Sequence, residues 1–159
     1  MRRVLSLVLS LLLLIGSLAG CSVQHWRYQE LSFTLPADFQ NCSAEEYAAE
    51  FDFLFDNGMV AIAGIRETRQ ALAGFGALDA RQYAELVIKF NTLTCQPFEK
   101  SGLWCFTYDA VSYGIPMTYV CAVYEAENSF WQVQAYCATA DFPVQEEAMW
   151  KWILSMETN

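Results

Sequence analysis

The chain has 159 residues, of which 55% are hydrophobic, and nine Lys and Arg stand against eighteen Asp and Glu. Residues 1–20 hold two of the basic residues and none of the acidic ones, so the remaining 139 residues carry a net charge of −11. A negative field of this size repels phosphate, which excludes nucleic acid and makes anionic membrane surfaces poor partners. The length fits one ordinary domain.

Residues 1–20 have the organisation of a secretory signal peptide. Arg2 and Arg3 supply the positive start, and an apolar run over residues 4–15 follows them. This run is shorter than the roughly 20 apolar residues that a membrane-spanning helix needs. We therefore expect residues 1–20 to direct export and to be removed from the mature protein.

Residues 17–21, Ser-Leu-Ala-Gly-Cys, resemble the lipobox of bacterial lipoproteins. The resemblance implies cleavage before Cys21 and a diacylglycerol on the Cys21 thiol. Residues 21–27 then become a lipidated tether, and residues 28–159 form a single domain. We expect the mature protein to be extracytoplasmic, held by its lipid in the outer leaflet of the cytoplasmic membrane or in the outer membrane.

Alternation of apolar and polar residues predicts the first strands. Residues 26–35 alternate well enough for a strand, and Pro36 ends it because its ring removes a ladder donor. Residues 51–56 place three phenylalanines on one face and two aspartates on the other. Asn57-Gly58 follows, and residues 59–65 return as the partner strand, which is the strongest short-range signal for a hairpin.

The middle of the chain predicts a loop and then a helix. Residues 64–78 hold three glycines and mixed polarity, which favours a loop. Asp79 then opens a helix, with Gln82 three residues on as its capping-box partner. The apolar face of this helix is predicted to consist of Ala80, Tyr83, Ala84, Val87 and Phe90.

The last third predicts three antiparallel strands and a closing helix. The strands cover residues 103–111, 117–125 and 130–138, and a short strand near residues 95–98 precedes them. The buried stripe of the closing helix is predicted to consist of Val144, Ala148, Met149, Trp152, Ile153 and Met156. This order of strands and helices indicates the α+β class.

Several phrases within this order resemble the PsbP-like superfamily and, within it, the DcrB-like bacterial lipoproteins. They are Leu-Ser-Phe-Thr-Leu-Pro-Ala-Asp-Phe at residues 31–39, the helix around residues 82–84, the three-stranded meander, and Trp-Ile-Leu-Ser-Met at residues 152–156. The resemblance implies a central antiparallel sheet flanked by helices, an α/β/α sandwich. It also implies a binding or accessory role, because the superfamily shares no catalytic site.

The cysteines predict disulfide chemistry without fixing the pairing. With Cys21 assigned to lipid, five cysteines remain, so at least one thiol stays unpaired in a monomer. Cys95 and Cys105 flank a predicted turn at residues 99–102, and a hairpin there would let them face each other, which makes them the one pair singled out as a possible bridge. No CxxC spacing occurs, which argues against a redox motif or a structural zinc site.

The sequence holds no catalytic constellation. His25 is the only histidine, and it falls on the predicted tether, so a catalytic triad or a Cys–His pair within the domain is excluded. Asp52 and Asp56 lie roughly 13 Å apart along an extended strand, too far for an acid/base pair. We expect no catalytic residue, no metal site and no cofactor.

Trp150 is the one candidate for a partner-binding residue. It lies about 160° around the closing helix from Trp152, which places it off the predicted buried stripe. An exposed tryptophan is a common anchor in protein interfaces, whereas the alternative is that Trp150 covers the edge of the sheet.

We therefore expect a membrane-anchored, non-enzymatic lipoprotein whose domain binds an envelope protein or supports an envelope assembly. The alternative is an accessory domain that binds a small ligand or a divalent metal ion, for which the aromatic content and the acidic balance are the grounds.

Overall fold

The computed structural model describes residues 22–158. The strands are β1 Val23–Tyr28, β2 Leu31–Pro36, β3 Gln40–Asn41, β4 Phe53–Asp56, β5 Ala61–Thr68, β6 Phe98–Lys100, β7 Leu103–Ser112, β8 Ile115–Glu125, β9 Ser129–Ala138 and β10 Glu157–Thr158. The helices are α1 Ala80–Phe90 and α2 Phe142–Leu154, and short 3-10 helices cover Glu46–Ala48 and Ala73–Phe75. Cys21 and the predicted signal peptide lie outside the described residues.

The strands form two antiparallel sheets. The large sheet has seven strands in the order β3-β4-β5-β9-β8-β7-β6, and the small sheet has three in the order β1-β2-β10. Helix α1 packs on one face of the large sheet, while α2 and the small sheet cover the opposite face. The predicted α+β class and the central antiparallel sheet between helices are confirmed.

The first predicted strand is in fact a hairpin. Gln29 adopts a positive φ of 52°, which turns the chain between β1 and β2. The predicted tether over residues 21–27 is correspondingly too long, since β1 already belongs to the small sheet. In β2, alternate residues are buried against the large sheet, namely Leu31, Phe33 and Leu35. The regular alternation across residues 26–35 hid the turn, because both strands of the hairpin alternate.

The hairpin around Asn57-Gly58 is confirmed, but its second strand is longer than predicted. Gly58 has a φ of 85°, and β4 pairs with β5 beyond it. β5 continues to Thr68, because its whole length pairs with β9 from Ala61 opposite Tyr136 onward. The loop predicted over residues 64–78 is therefore wrong in its first part. Long-range pairing with β9 overrides the local glycine signal.

The closing helix is rotated relative to the predicted stripe. Met149 and Ile153 are fully buried as predicted, but Val144 is exposed and Trp150 is only 8% exposed. At about 100° per residue, Trp150 lies about 60° from Ile153, whereas Val144 points to the opposite side of the helix. Trp150 packs against edge strand β6, with its ring centroid 5.9 Å from that of Phe98. Trp150 therefore covers the edge of the sheet, as the alternative considered from sequence had it, and is not an exposed anchor.

Candidate functional site

Helix α1 covers only part of its face of the large sheet, and an open groove occupies the rest. We call it the tyrosine groove; its volume is about 750 Å³. Its floor and walls come from five strands of the large sheet, the segment after α1 and the segment before β4. It is lined by Glu50, Phe51, Leu54, Ile65, Asn91, Leu93, Tyr108, Ser112, Tyr113, Tyr119, Gln132, Gln134 and Tyr136.

Three tyrosines on neighbouring strands form a stacked ladder in the floor. Tyr108 on β7 pairs in register with Tyr119 on β8, and Tyr119 pairs with Tyr136 on β9. The ring centroids are 4.6 and 5.0 Å apart, and the first two rings are within 3° of parallel. Because the ring faces stack on one another, the ladder offers a ligand mainly ring edges and phenol groups. Such cross-strand aromatic pairs also fix the register of the three strands.

Burial sets the protonation state of this ladder. It raises the pKa of Tyr108 well above the usual range, and negative charge on neighbouring thiols and phenols raises it further. Burial likewise raises the pKa of Tyr119. Both phenols therefore stay neutral at physiological pH and keep a hydrogen to donate.

Two glutamines lie beside the ladder on β9. Gln132 and Gln134 are 8% and 6% exposed, and they point to the same face because they are two residues apart on a strand. Gln132 Nε2 donates to Gln134 Oε1 over 3.3 Å. The remaining two side-chain atoms, Gln132 Oε1 and Gln134 Nε2, make no hydrogen bond with the described residues. Neither atom is among the fully buried unpaired atoms of the described residues, so both reach the open groove, where a ligand is able to replace the water that pairs with them.

The groove is almost uncharged although the domain is strongly acidic. Among the described residues that line it, Glu50 alone is charged, and Glu50 lies on the exposed rim. Asn91, just after α1, forms part of the wall, and its side-chain amide donates to the carbonyl of Val87 over 2.9 Å. The arrangement provides neutral donors and acceptors around an aromatic floor, which suits binding of an uncharged polar ligand.

An apolar depression continues the groove along α1. It has a volume of about 370 Å³ and shares Ile65, Asn91 and Gln132 with the tyrosine groove. Phe90, predicted to face the sheet, is exposed here, and its ring centroid lies 5.4 Å from that of Phe75. The two depressions together form a continuous surface with a polar end and an apolar end.

The cysteines contradict the predicted bridge. Cys42, Cys95, Cys105, Cys121 and Cys137 are all free thiols. Cys105 lies opposite Phe98 in the β6–β7 ladder and packs on the α2 face, whereas Cys95 packs on the α1 face. The large sheet therefore separates Cys95 from Cys105. Burial raises the pKa of Cys105 to about 11 and that of Cys121 well above its ordinary value, so neither thiol is activated for nucleophilic chemistry.

The other residues considered from sequence have local structural roles. His25 lies on β1, where Nδ1 is 2.9 Å from Thr34 Oγ1 in the small sheet. Asp52 accepts a hydrogen bond from the backbone N–H of Arg66, and Asp56 accepts one from that of Gly58. Among residues 22–158, His, Cys, Asp and Glu form no group of three or more that is able to hold a metal ion.

Sequence reasoning missed the groove, although it carries one visible signal. Gln132 and Gln134 interrupt an otherwise apolar strand at positions that share a face, and a polar residue on a buried strand requires a partner. The tyrosine ladder had no such signal. Its register across β7, β8 and β9 depends on how the strands pair, which only the tertiary structure shows.

Comparison with known proteins identifies the fold of this chain. No family model and no curated protein sequence matches this chain. The solution structure of the cyanobacterial PsbP protein, CyanoP, from Synechocystis superposes with a TM-score of 0.57 and 11% identity, covering 91% of this chain and 96% of that one. A crystal structure from Bacteroides thetaiotaomicron gives a TM-score of 0.55 and 14% identity over 82% of this chain and 45% of that one.

A third solved structure is LpqN, involved in cell envelope biogenesis of Mycobacterium tuberculosis, with a TM-score of 0.48 and 12% identity over 87% of this chain and 91% of that one. The fold is PsbP-like, as predicted. Neither helix within residues 22–158 is long and apolar enough to cross a bilayer.

Proposed function

We propose that this chain is a non-enzymatic accessory lipoprotein, anchored outside the cytoplasm by a lipid on Cys21, which binds an uncharged ligand in the tyrosine groove. The observation that carries the binding role is the Gln132–Gln134 pair, which is buried in the floor with one donor and one acceptor left over. The anchor rests on the lipobox-like segment 17–21. It is supported by the exposed position of Ser22, the first described residue.

The lining chemistry favours a ligand with amide and hydroxyl groups. Neutral phenols and primary amides donate and accept equally well, so they match groups that do the same. A charged ligand would find no opposite charge in the floor, and an anion would also meet the field of a domain with a net charge of −11. The volume falls within the range of about 300–1,000 Å³ that is usual for small-molecule sites.

The lining also supports a role without catalysis. Within the described part of the chain, no His, Cys, Lys or Arg lines the groove, and the one carboxylate that does, that of Glu50, lies on the rim. The phenols of Tyr108 and Tyr119 have raised pKa values and so are poor bases at neutral pH. Without an activated nucleophile or a base near pH 7, the groove holds a ligand and does not transform it.

Calorimetry with two neutral probes tests the binding role. Tri-N-acetylchitotriose and an acetylated, amidated alanine tripeptide both carry amides, and the first also carries hydroxyls. We expect heat from at least one probe, and loss of that heat in the double variant Gln132→Leu, Gln134→Leu, which keeps side-chain volume. Gln70→Leu is the control, because Gln70 is exposed and lies outside the groove lining.

Three results would oppose this proposal. If neither probe gives heat, the proposed binding is wrong. It is also wrong if the double variant gives the same heat as the wild type while circular dichroism shows that the variant is folded. Heat from calcium or magnesium alone would instead favour the metal-binding alternative. Mass spectrometry of the N-terminal peptide from membranes separately tests the diacylglycerol on Cys21.

A further inference from the structure

The β7–β8 hairpin ends in an exposed apolar tip, residues 111–115. Val111 is 71% exposed, Tyr113 99% and Ile115 53%, which is the reverse of the usual polar composition of a hairpin turn. Ala138, the last residue of β9, pairs with Met117, so the tip extends about three residues, roughly 10 Å, beyond the end of β9. The tip thus projects from the body of the domain.

The turn itself holds a tyrosine where other residues are favoured. Tyr113 and Gly114 have φ values of 50° and 83°, the conformation of a two-residue turn in which Asn, Asp or Gly normally stands first. Tyr113 therefore takes an unfavourable backbone conformation and makes its whole side chain accessible to solvent. Tyr113 also borders the tyrosine groove, but its side chain is almost fully exposed, so folding stability does not account for a tyrosine here and contact with another molecule does.

Contacts between loops place the tip at the same end of the molecule as the start of the described chain. The carbonyl of Ser22 accepts from the backbone N–H of Ala37 over 3.0 Å. The next residue, Asp38, accepts from Asn57 Nδ2 over 3.1 Å. Asn57 begins the β4–β5 turn, whose exposed Met59 lines one depression together with Ile115.

Ser22 directly follows Cys21, so a lipid on Cys21 would hold this end of the domain against the bilayer. We propose that the β7–β8 tip inserts into the interface of an uncharged phospholipid membrane, with Tyr113 at the level of the head groups. This proposal rests on the proposed anchoring through Cys21. Tyrosine suits that depth because its ring is apolar and its hydroxyl is polar.

The charges at this end indicate which lipids the tip contacts. Asp38, Asp56 and Asp141 line the depressions beside the tip, and no Lys or Arg of residues 22–158 lines them. Acidic groups near a membrane repel anionic head groups, so apolar insertion and the covalent lipid must supply the contact. We therefore expect a stronger contact with phosphatidylcholine than with phosphatidylglycerol.

Quenching by brominated lipid tests the proposal on the lipid-modified protein in vesicles of dibromophosphatidylcholine. We expect Tyr113→Trp to lose more tryptophan emission than the wild type does, because bromine quenches only at short range. Phe75→Trp is the matched control, since Phe75 is also an aromatic residue. Its side chain is half-exposed, and it lies beside α1, outside the tip. Its added emission should stay unquenched. Dilution with phosphatidylglycerol should reduce the quenching in Tyr113→Trp more than the same dilution with unbrominated phosphatidylcholine does.

The possible failures are distinguishable. If mass spectrometry finds the lipid on Cys21 and Tyr113→Trp is quenched no more than the wild type, the insertion is wrong and the proposed function stands. Blue-shifted, unquenched emission from Tyr113→Trp means that the tip is buried against protein, which also overturns insertion. Absence of lipid on Cys21 overturns the anchoring and the insertion together, whatever the calorimetry of the groove shows.

Discussion

The ring of Phe53 lies directly over Gly64, its partner in the β4–β5 ladder. A Cβ atom built on Gly64 would come within 2.2 Å of Phe53 Cε1 and 2.4 Å of Cζ. Phe53 is fully buried and contacts the rings of Phe33 and Trp131, so it has little room to move. The glycine thus makes the space that the aromatic core between the two sheets occupies.

Gly64→Ala should therefore destabilise the protein. We expect a loss of about 1–3 kcal/mol in the free energy of unfolding, as is typical for an overpacked core. Urea denaturation followed by circular dichroism measures it. Gly74→Ala is the control, because a Cβ at Gly74 meets no atom within 4 Å. Equal stability of the two variants would contradict the close contact.

Glu30 makes stability depend on pH. Its carboxylate, in the β1–β2 turn, accepts hydrogen bonds from Arg66 at 3.0–3.2 Å and from Ser129, and so ties the small sheet to the large one. Burial alone would raise the pKa of Glu30, but these hydrogen bonds outweigh it, and the pKa lies below its ordinary value of 4.5. A lowered folded-state pKa stabilises the fold above pH 4.5, and this contribution is lost as the pH falls through the lowered pKa.

Glu30→Gln should cost about 1–2 kcal/mol at pH 7, and its difference from the wild type should shrink below pH 4.5. Thermal unfolding over a pH series measures this difference. Glu147→Gln, at an exposed position on α2, serves as the comparison and should follow the wild type throughout. A difference between Glu30→Gln and the wild type that is constant with pH would show that the Glu30 charge is not coupled to folding.

Tyr83 joins α1 to the large sheet by two contacts. Its ring stacks on Phe130 at 4.7 Å, and its hydroxyl donates to Glu67 Oε2 over 2.6 Å. Tyr83→Phe keeps the ring contact and removes the hydrogen bond to a charged acceptor, so we expect a loss of about 1.5–3 kcal/mol in chemical denaturation. Tyr113→Phe removes a fully exposed hydroxyl and should change stability by less than about 0.5 kcal/mol. Similar effects of the two substitutions would rule out the bond to Glu67.

The thiols should differ in reactivity. Cys105, Cys121 and Cys137 are buried, whereas Cys42 and Cys95 are partly exposed. Burial raises the pKa of Cys95 as well as those of the three buried thiols, so access to the reagent sets the order of labelling. Iodoacetamide at pH 8 should label Cys42 and Cys95 first, and the three buried thiols only after unfolding. Mass spectrometry of peptides from unreduced protein reads out both labelling and bridges. A Cys95–Cys105 bridge among those peptides would contradict the separation of the two residues by the sheet.

Local patterns were sufficient for elements whose residues interact with near neighbours in sequence. The Asp79–Gln82 capping box, the Asn57-Gly58 turn and the three strands β7, β8 and β9 were all predicted, because capping, turn geometry and alternation act over a few residues. The orientation of α2 was not predicted correctly, because apolar residues cover more than half of the circumference of this helix. Which of them face the core depends on where the sheet lies, and Trp150 was assigned to the wrong side for that reason.

The sequence by itself determined the α+β order of the elements and the resemblance to PsbP-like proteins, and it supplied the lipobox-like motif on which the proposed anchor depends. Only the tertiary structure decided that Cys95 and Cys105 lie on opposite faces and that Tyr108, Tyr119 and Tyr136 form one ladder. It also decided that the start of the described chain and the β7–β8 tip share one end of the molecule. These relationships join residues that are 10 to about 90 positions apart in the sequence. They arise from strand pairing across the sheet, for which local propensity carries no signal.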